Sequence, residues 1–166
     1  MSLKNLIPRA DIARLTARLR RAGKKIVFTN GVFDILHRGH VEYLSKAKSF
    51  GDVLIVGLNN DASIRRIKGG RHPIQSQKDR AIILLALEAV DYVVFFGQDT
   101  PEKLIRQIRP DVLVKGADYK ISEIVGSGFI RSYGGKVKHV KLTKGRSTSA
   151  LAARLHKYVK KHALRV

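Results

Sequence analysis

The stretch KKIVFTNGVFDILHRGHVEYLSKAKSFGDVLIVGLN, residues 24–59, decides the fold. It opens on a β-branched apolar run, KKIVFTN (24–30), and closes on a second, DVLIVGLN (52–59). Near-continuous hydrophobicity of this kind suits a strand buried on both faces, as in a parallel sheet. Between the runs, GHVEYLSKAKSF (39–50) spaces its apolar residues three and four apart, the period of an amphipathic helix. A strand, a helix and a strand in that order make one parallel crossover unit.

The same alternation continues outward. DYVVFFG (91–97), DVLVKG (111–116) and KVKHVKL (136–142) are further candidate strands. SQKDRAIILLALEA (76–89) and TPEKLIRQIR (100–109) have helical spacing, and Thr100 before Pro101 has the form of an N-cap and first helical position. Residues 9–22 form a candidate extra helix, and 147–162 a closing one capped near Ser147. The expected fold is α/β: a Rossmann-like, doubly wound sheet of about five parallel strands with flanking helices. It is expected to be one domain over 1–166, with an N-terminal helical extension (1–23), an α/β core (24–146) and a C-terminal helix (147–166).

In such sheets ligands bind outside the carboxyl ends of the strands. Each polar cluster falls there: NGVFD after the first strand, NNDAS after the second, GADY after the fourth and KGRSTS after the fifth. Composition narrows the ligand. The formal charge is +20, from 33 Lys and Arg against 13 Asp and Glu, which favours anions such as nucleotides or sugar phosphates. Denser basic patches lie at IRRIKGGRH (64–72) and HKYVKKHALRV (156–166), but there is no zinc-finger spacing and no basic run interleaved with aromatics, so no nucleic-acid partner is expected. No apolar run approaches the roughly 18 residues of a membrane span, and no membrane partner is expected. Without cysteine there is no disulfide framework or thiolate metal site. The charged N-terminus, broken by Pro8, lacks the core of a secretory signal, and a cytoplasmic protein is expected.

The chemistry concentrates in HRGH (37–40). His37 and His40 could be metal ligands, an acid/base pair, a phosphate clamp, or ordinary loop and cap residues. Helical zinc ligands usually stand four apart with carboxylate or cysteine partners, and no such set is obvious here. A helix start presents unpaired N–H groups and partial positive charge to a phosphate. Gly39 and Gly31 clear side chains from the approach, and two imidazoles can then donate to phosphate oxygens. Asp34 beside them can orient this loop.

GVFDILHRGH, followed much later by GRSTS (145–149), resembles the HxGH nucleotidyltransferase superfamily, in its cytidylyltransferase-like branch. Within that branch, the segments around HRGH, TPEKLI, VLVKGADY and STSALAARL are similar to the stand-alone adenylyltransferases of ADP-heptose synthesis, from about Lys24 to Leu155. The resemblance implies transfer of AMP from ATP to D-glycero-D-manno-heptose 1-phosphate, with Mg²⁺ carried mainly on the ATP phosphates and a homodimer as a fair expectation. Glycerol 3-phosphate or FMN as acceptor, or CTP as donor, stay open, because the motifs are shared.

Carried onto this sequence, the resemblance puts Val32 and Phe33 against the nucleotide through their backbone, and His37 and His40 on the phosphates. It gives Arg146, Ser147 and Thr148 the terminal phosphates, and Lys68 the role of a triphosphate contact from a basic loop in which Arg65, Arg66 and Arg71 crowd the same segment. Arg80 either serves the phosphates or anchors the loop, while Asp118 accepts from a ribose hydroxyl with Lys115 nearby. The family's usual KGGDY reads KGADY here, with a methyl at Ala117.

Overall fold

Strand hydrophobicity sorts into two alternating sets, and the structure places one on each face of a single parallel sheet. The computed structural model describes residues 3–70, 72–116, 123–141 and 148–162, without the side chains of 149 and 150. In chain order the strands are β1 (Leu6–Ile7), β2 (Ile26–Gly31), β3 (Val53–Asn59), β4 (Tyr92–Phe96), β5 (Val112–Gly116) and β6 (Lys136–Val140). The helices are α1 (Ile12–Arg21, after a 3-10 turn at Arg9–Asp11), α2 (Arg38–Lys48), α3 (Asp61–Lys68), α4 (Gln77–Leu85), α5 (Glu102–Ile108), α6 (Ser127–Ser132) and α7 (Thr148–His162).

The sheet order is β1-β4-β3-β2-β5-β6, and every pair is parallel. From β2 the chain winds outward through β3 to β4, then returns across β2 to add β5 and β6 on the other side. The winding reverses at the β2–β5 pair, so a crevice opens beyond the carboxyl ends of those strands. Ile26 and Phe28 pack with Ile12, Leu15 and Leu19 of α1 and Leu104, Ile105 and Ile108 of α5 on one face. Val27, Leu54, Val56 and Val112 pack with Tyr43, Leu44 and Ala47 of α2 and Ala81 and Leu84 of α4 on the other.

Several features depart from the sequence reading, among them helix α6 at Ser127–Ser132, where no element is expected. The sheet has six strands, because the N-terminal extension is not wholly helical: Leu6 and Ile7 add an edge strand in register with Val93 and Val94. The cap of α5 falls on Pro101 rather than Thr100. Residues 61–68 form α3 where a loop is expected. Its start has a local cause: the Asn60 side chain accepts from the Ser63 N–H at 2.9 Å, satisfying one of the free donors of the first turn. Asn60→Ala is expected to lower stability by about 1 kcal/mol, read as a lower urea midpoint at unchanged m-value.

Candidate functional site

A cleft of about 550 Å³ opens at the switch point. Asn30, Gly31, Val32, Phe33 and Asp34 line it from the end of β2, and His40 and Tyr43 from α2. Asn59, Ile67 and Lys68 line it from β3 and α3, Lys115 and Gly116 from β5, and Thr148 from the start of α7. Tyr43 pins α2 over the reversal, its hydroxyl 2.7 Å from Thr29 Oγ1 and donating to the Val114 carbonyl at 3.2 Å.

His37 is the N-cap of α2, in extended backbone with φ −143° and ψ 168°. Its carbonyl accepts from the His40 N–H at 2.8 Å, so the two imidazoles come off the same helical turn. Their rings stack with centroids 3.9 Å apart and planes 22° from parallel, and Phe33 meets His40 edge-on at 5.3 Å. His40 lines the cleft, whereas His37 is not among its lining residues and lies stacked on His40. The Nδ1 atoms of both are buried without a hydrogen-bond partner among the described residues. Buried polar atoms are nearly always paired, so an unpaired one calls for an explanation; His139 Nε2 on β6, which does not line the cleft, is another. Burial, then the proximity of His37 and Lys68, pushes the His40 pKa down to about 4, and burial also lowers that of His37. Both rings are therefore neutral near pH 7, with one N–H each to donate.

The loop before them is built around two backbone constraints. Phe33 has φ +46°, a left-handed conformation that costs a bulky residue energy and is held here by burial of the ring. Gly31 makes that ring possible, since a Cβ at 31 would lie 2.9 Å from it. Its missing side chain thus serves Phe33 packing directly. Gly39 is buried in the first turn of α2. Asp34 does not reach His37 or His40 in a recorded bond. Its carboxylate accepts from the N–H of Ile74 (3.0 and 2.9 Å) and Gln75 (2.9 Å), with His72 Nδ1 at 3.6 Å, and so ties the histidine loop to the segment that enters α4. Burial alone would raise its pKa; the Gln75 and Ile74 N–H groups, His72 and the charge of Arg80 outweigh it and hold the carboxyl below its usual range.

The remaining candidates separate. Lys68 lines the cleft, but from the last turn of α3 rather than from a loop. Lys115 faces the cleft from β5 and donates to Asn30 Oδ1; burial pushes its pKa down to about 8. Thr148 is brought to the same cleft by α7. Arg80 is not among the lining residues. It is wholly buried, donating to the carbonyls of Gln75 (3.1 Å), Val32 (2.7 Å) and Asn59 (2.9 Å) and to Asp61 Oδ1 (2.7 Å). Its acceptors come from residues 32, 59, 61 and 75, and none from the described residues of the basic segment 64–72, so it ties the ends of β2 and β3 to the start of α4 rather than anchoring the basic loop. Asp118, Arg146 and Ser147, with Ala117 and Arg71, lie outside the described residues.

Sequence reasoning passed over Asn30, Tyr43, Asn59, His72, Phe96 and Asp99, all of which line the cleft. Two signals were available. Asn30, Asn59 and Phe96 stand at strand ends, and Tyr43 lies three residues beyond His40 on one helix face. Asp99 is paired with Arg66 of α3 at 2.8 Å, a contact that spans separate segments and leaves no local pattern.

The cytidylyltransferase-like family model matches residues 28–154, which hold most of β2, the histidine loop, strands β3 to β6 and the start of α7. The chain belongs to the cytidylyltransferase-like family. It is 54% identical over 154 residues to the bifunctional protein HldE of Wolinella succinogenes, covering 93% of this chain and 32% of that one. It is 53% identical over 144 residues to HldE of Helicobacter pylori, covering 87% and 30%. The chain thus spans about a third of the length of these relatives. Among solved structures, a lipopolysaccharide core biosynthesis protein from Thermoplasma volcanium superposes with a TM-score of 0.60 at 34% identity, covering 74% of this chain and 98% of that one. The pantoate-beta-alanine ligase of Francisella tularensis, solved with a β,γ-ATP ligand and β-alanine, has a TM-score of 0.61 over 84% of this chain and 68% of its own, but at 20% identity that likeness shows the fold alone.

Proposed function

We propose that this chain transfers AMP from ATP to D-glycero-D-manno-heptose 1-phosphate in the cytoplasm, releasing pyrophosphate and forming ADP-heptose, a precursor of the lipopolysaccharide inner core. The observation that carries the transfer chemistry is the His40 imidazole at the start of α2, stacked on His37 and lining one cleft with Lys68, Lys115 and Thr148. The choice of heptose rests on similarity to the HldE relatives over most of the chain.

In this reading a phosphate oxygen of the sugar attacks the α-phosphorus of ATP in line, and the bond to the pyrophosphate oxygen breaks. The attacking phosphate is already largely ionised near neutral pH, so no strong general base is needed. His40, stacked on His37, donates to the phosphate oxygens as charge builds, and Lys68 and Lys115 add positive charge from the cleft walls. Val32 and Phe33 present backbone to the nucleotide, while Arg80 and Asp34 hold that backbone still. Thr148, with Arg146, Ser147 and Asp118, completes the nucleotide contacts. Mg²⁺ neutralises triphosphate charge when present. The described residues hold no cluster of three His, Asp or Glu that would cage it, and Asp34 and Asp99 are already engaged. Imidazole nitrogens suit this hard cation poorly, and in this reading the phosphates of the nucleotide would mainly hold it, as the family resemblance implies.

Binding should be linked to protons. An anion beside His40 favours the charged ring, so the pKa rises from about 4 in the free protein when phosphate arrives. Protons are then taken up on binding, and affinity climbs as pH falls through the window between the free and bound values. Calorimetry at pH 6 in buffers of different ionisation enthalpy should give a larger proton uptake for the wild type than for His40→Ala. Equal uptake would remove His40 from the phosphates. The substrate assignment is tested by a pyrophosphate-release screen of ATP and CTP against heptose 1-phosphate, glycerol 3-phosphate and FMN. Release is expected with ATP and heptose 1-phosphate; release only with CTP, or only with another acceptor, overturns it.

A further inference from the structure

The nucleotide cleft leaves the largest charge feature of the chain unused. From Ile124 to Val166 there are eleven Lys and Arg and no Asp or Glu, so more than half of the formal +20 lies in about the last quarter of the sequence. Helix α7 carries Arg154, Lys157, Lys160 and Lys161 of this set. Thr148, its first residue, lines the cleft, but every residue from 152 to 162 is exposed.

That exposure includes large apolar side chains. Leu155, Tyr158 and Val159 are each more than half exposed, at 52%, 63% and 54%. At 3.6 residues per turn, Leu151, Leu155, Tyr158, Val159 and His162 share an arc of about 100°, and the four Lys and Arg occupy a separate arc of about 120°. The Tyr158 and His162 rings stack at 4.2 Å, so the apolar stripe continues over the last turn of the helix.

An occupant of this face must be apolar within and anionic outside. A second copy of α7 would bring the same cations against these. A nucleic acid would satisfy the lysines but leave Leu155 and Val159 in water. An anionic lipid surface satisfies both, with acyl chains under the stripe and head-group phosphates at its basic flank. Charge agrees: with Arg154, Lys157, Lys160 and Lys161 among its residues, α7 can lie on a bilayer but is too polar to cross one. Among the described residues no helix is long and apolar enough to cross a membrane.

We propose that α7 is an amphipathic surface helix that docks the protein on anionic lipid, seating Leu155, Tyr158 and Val159 among the acyl chains with Arg154, Lys157, Lys160 and Lys161 at the head groups. This runs against the expectation of no membrane partner, which rests on the lack of a spanning run and does not weigh an amphipathic surface helix. The docking does not depend on which nucleotide or acceptor the cleft takes.

The test is co-sedimentation of the full chain with vesicles of phosphatidylglycerol and phosphatidylcholine in equal parts, or of phosphatidylcholine alone. Binding to the anionic vesicles is expected, at least about tenfold stronger than to neutral ones and weakened by salt. The triple variant L155S/Y158S/V159S should bind the anionic vesicles at least about tenfold more weakly, with an unchanged thermal midpoint because all three positions are exposed. The variant K157Q/K160Q/K161Q should lose the preference for anionic lipid. No binding to anionic vesicles overturns the proposal, as does full retention by the serine variant. A dimer in light scattering that the serine variant alone dissociates assigns the stripe to a second copy. Single-stranded RNA bound as tightly as the vesicles, and equally by the serine variant, assigns the charge to nucleic acid; either result also overturns it.

Discussion

Replacing His40 with alanine is expected to slow AMP transfer about a hundredfold, roughly 2.7 kcal/mol of transition-state stabilisation, with the fold left standing. The imidazole faces the cleft at the first turn of α2, and its Nδ1 has no partner among the described residues. Among the described residues its side chain makes no hydrogen bond to lose, so the stability cost should stay within about 1 kcal/mol. His37→Ala should cost less, about tenfold, because His37 acts chiefly by stacking against His40 at 3.9 Å. Steady-state pyrophosphate release, with thermal unfolding of each variant as the control, checks both. Wild-type turnover in both variants would sink the phosphate-clamp assignment.

The second large effect concerns stability. Arg80→Met should destabilise the protein by about 3–5 kcal/mol, read as a fall in the urea midpoint. The guanidinium is fully buried and bonded to three carbonyls and the Asp61 carboxylate. Methionine fills much of the volume but leaves those acceptors stranded, the condition under which a lost buried ion pair costs most. Arg80→Lys keeps the charge but cannot reach several acceptors at once, and should fall between. A phosphate ligand would behave otherwise: Arg80→Met would then unfold like the wild type and lose only nucleotide affinity.

Arg80 also marks where sequence stops being informative. Its place near the start of α4 can be read from the helical spacing of SQKDRAIILLALEA (76–89). That it turns inward is decided by acceptors from residues 32, 59, 61 and 75, which only the folded chain brings together. The strand, turn and helix start around His37 and His40 are legible because each is local: an apolar run, a glycine loop and a helical period in immediate succession. Edge strand β1 is not, since two residues hold no period and only pairing with β4 defines them. Helix α3 lies between these cases. Asn60 and Ser63 form its cap, yet its eight residues bury only Ser63 and Ile64, and the basic RRIK run hides the helical pattern. Lys68 thereby reaches the cleft from a helix end, a firmer mount than the loop its neighbours suggest.

The central claim is that the bond broken lies at the α-phosphorus of ATP. It is tested most directly by running the reaction with heptose 1-phosphate and ATP labelled separately at the α- and γ-phosphates. Adenylyl transfer requires the α label in the sugar product and the γ label in pyrophosphate. The γ label in the sugar, or in free orthophosphate with no α label transferred, would contradict it.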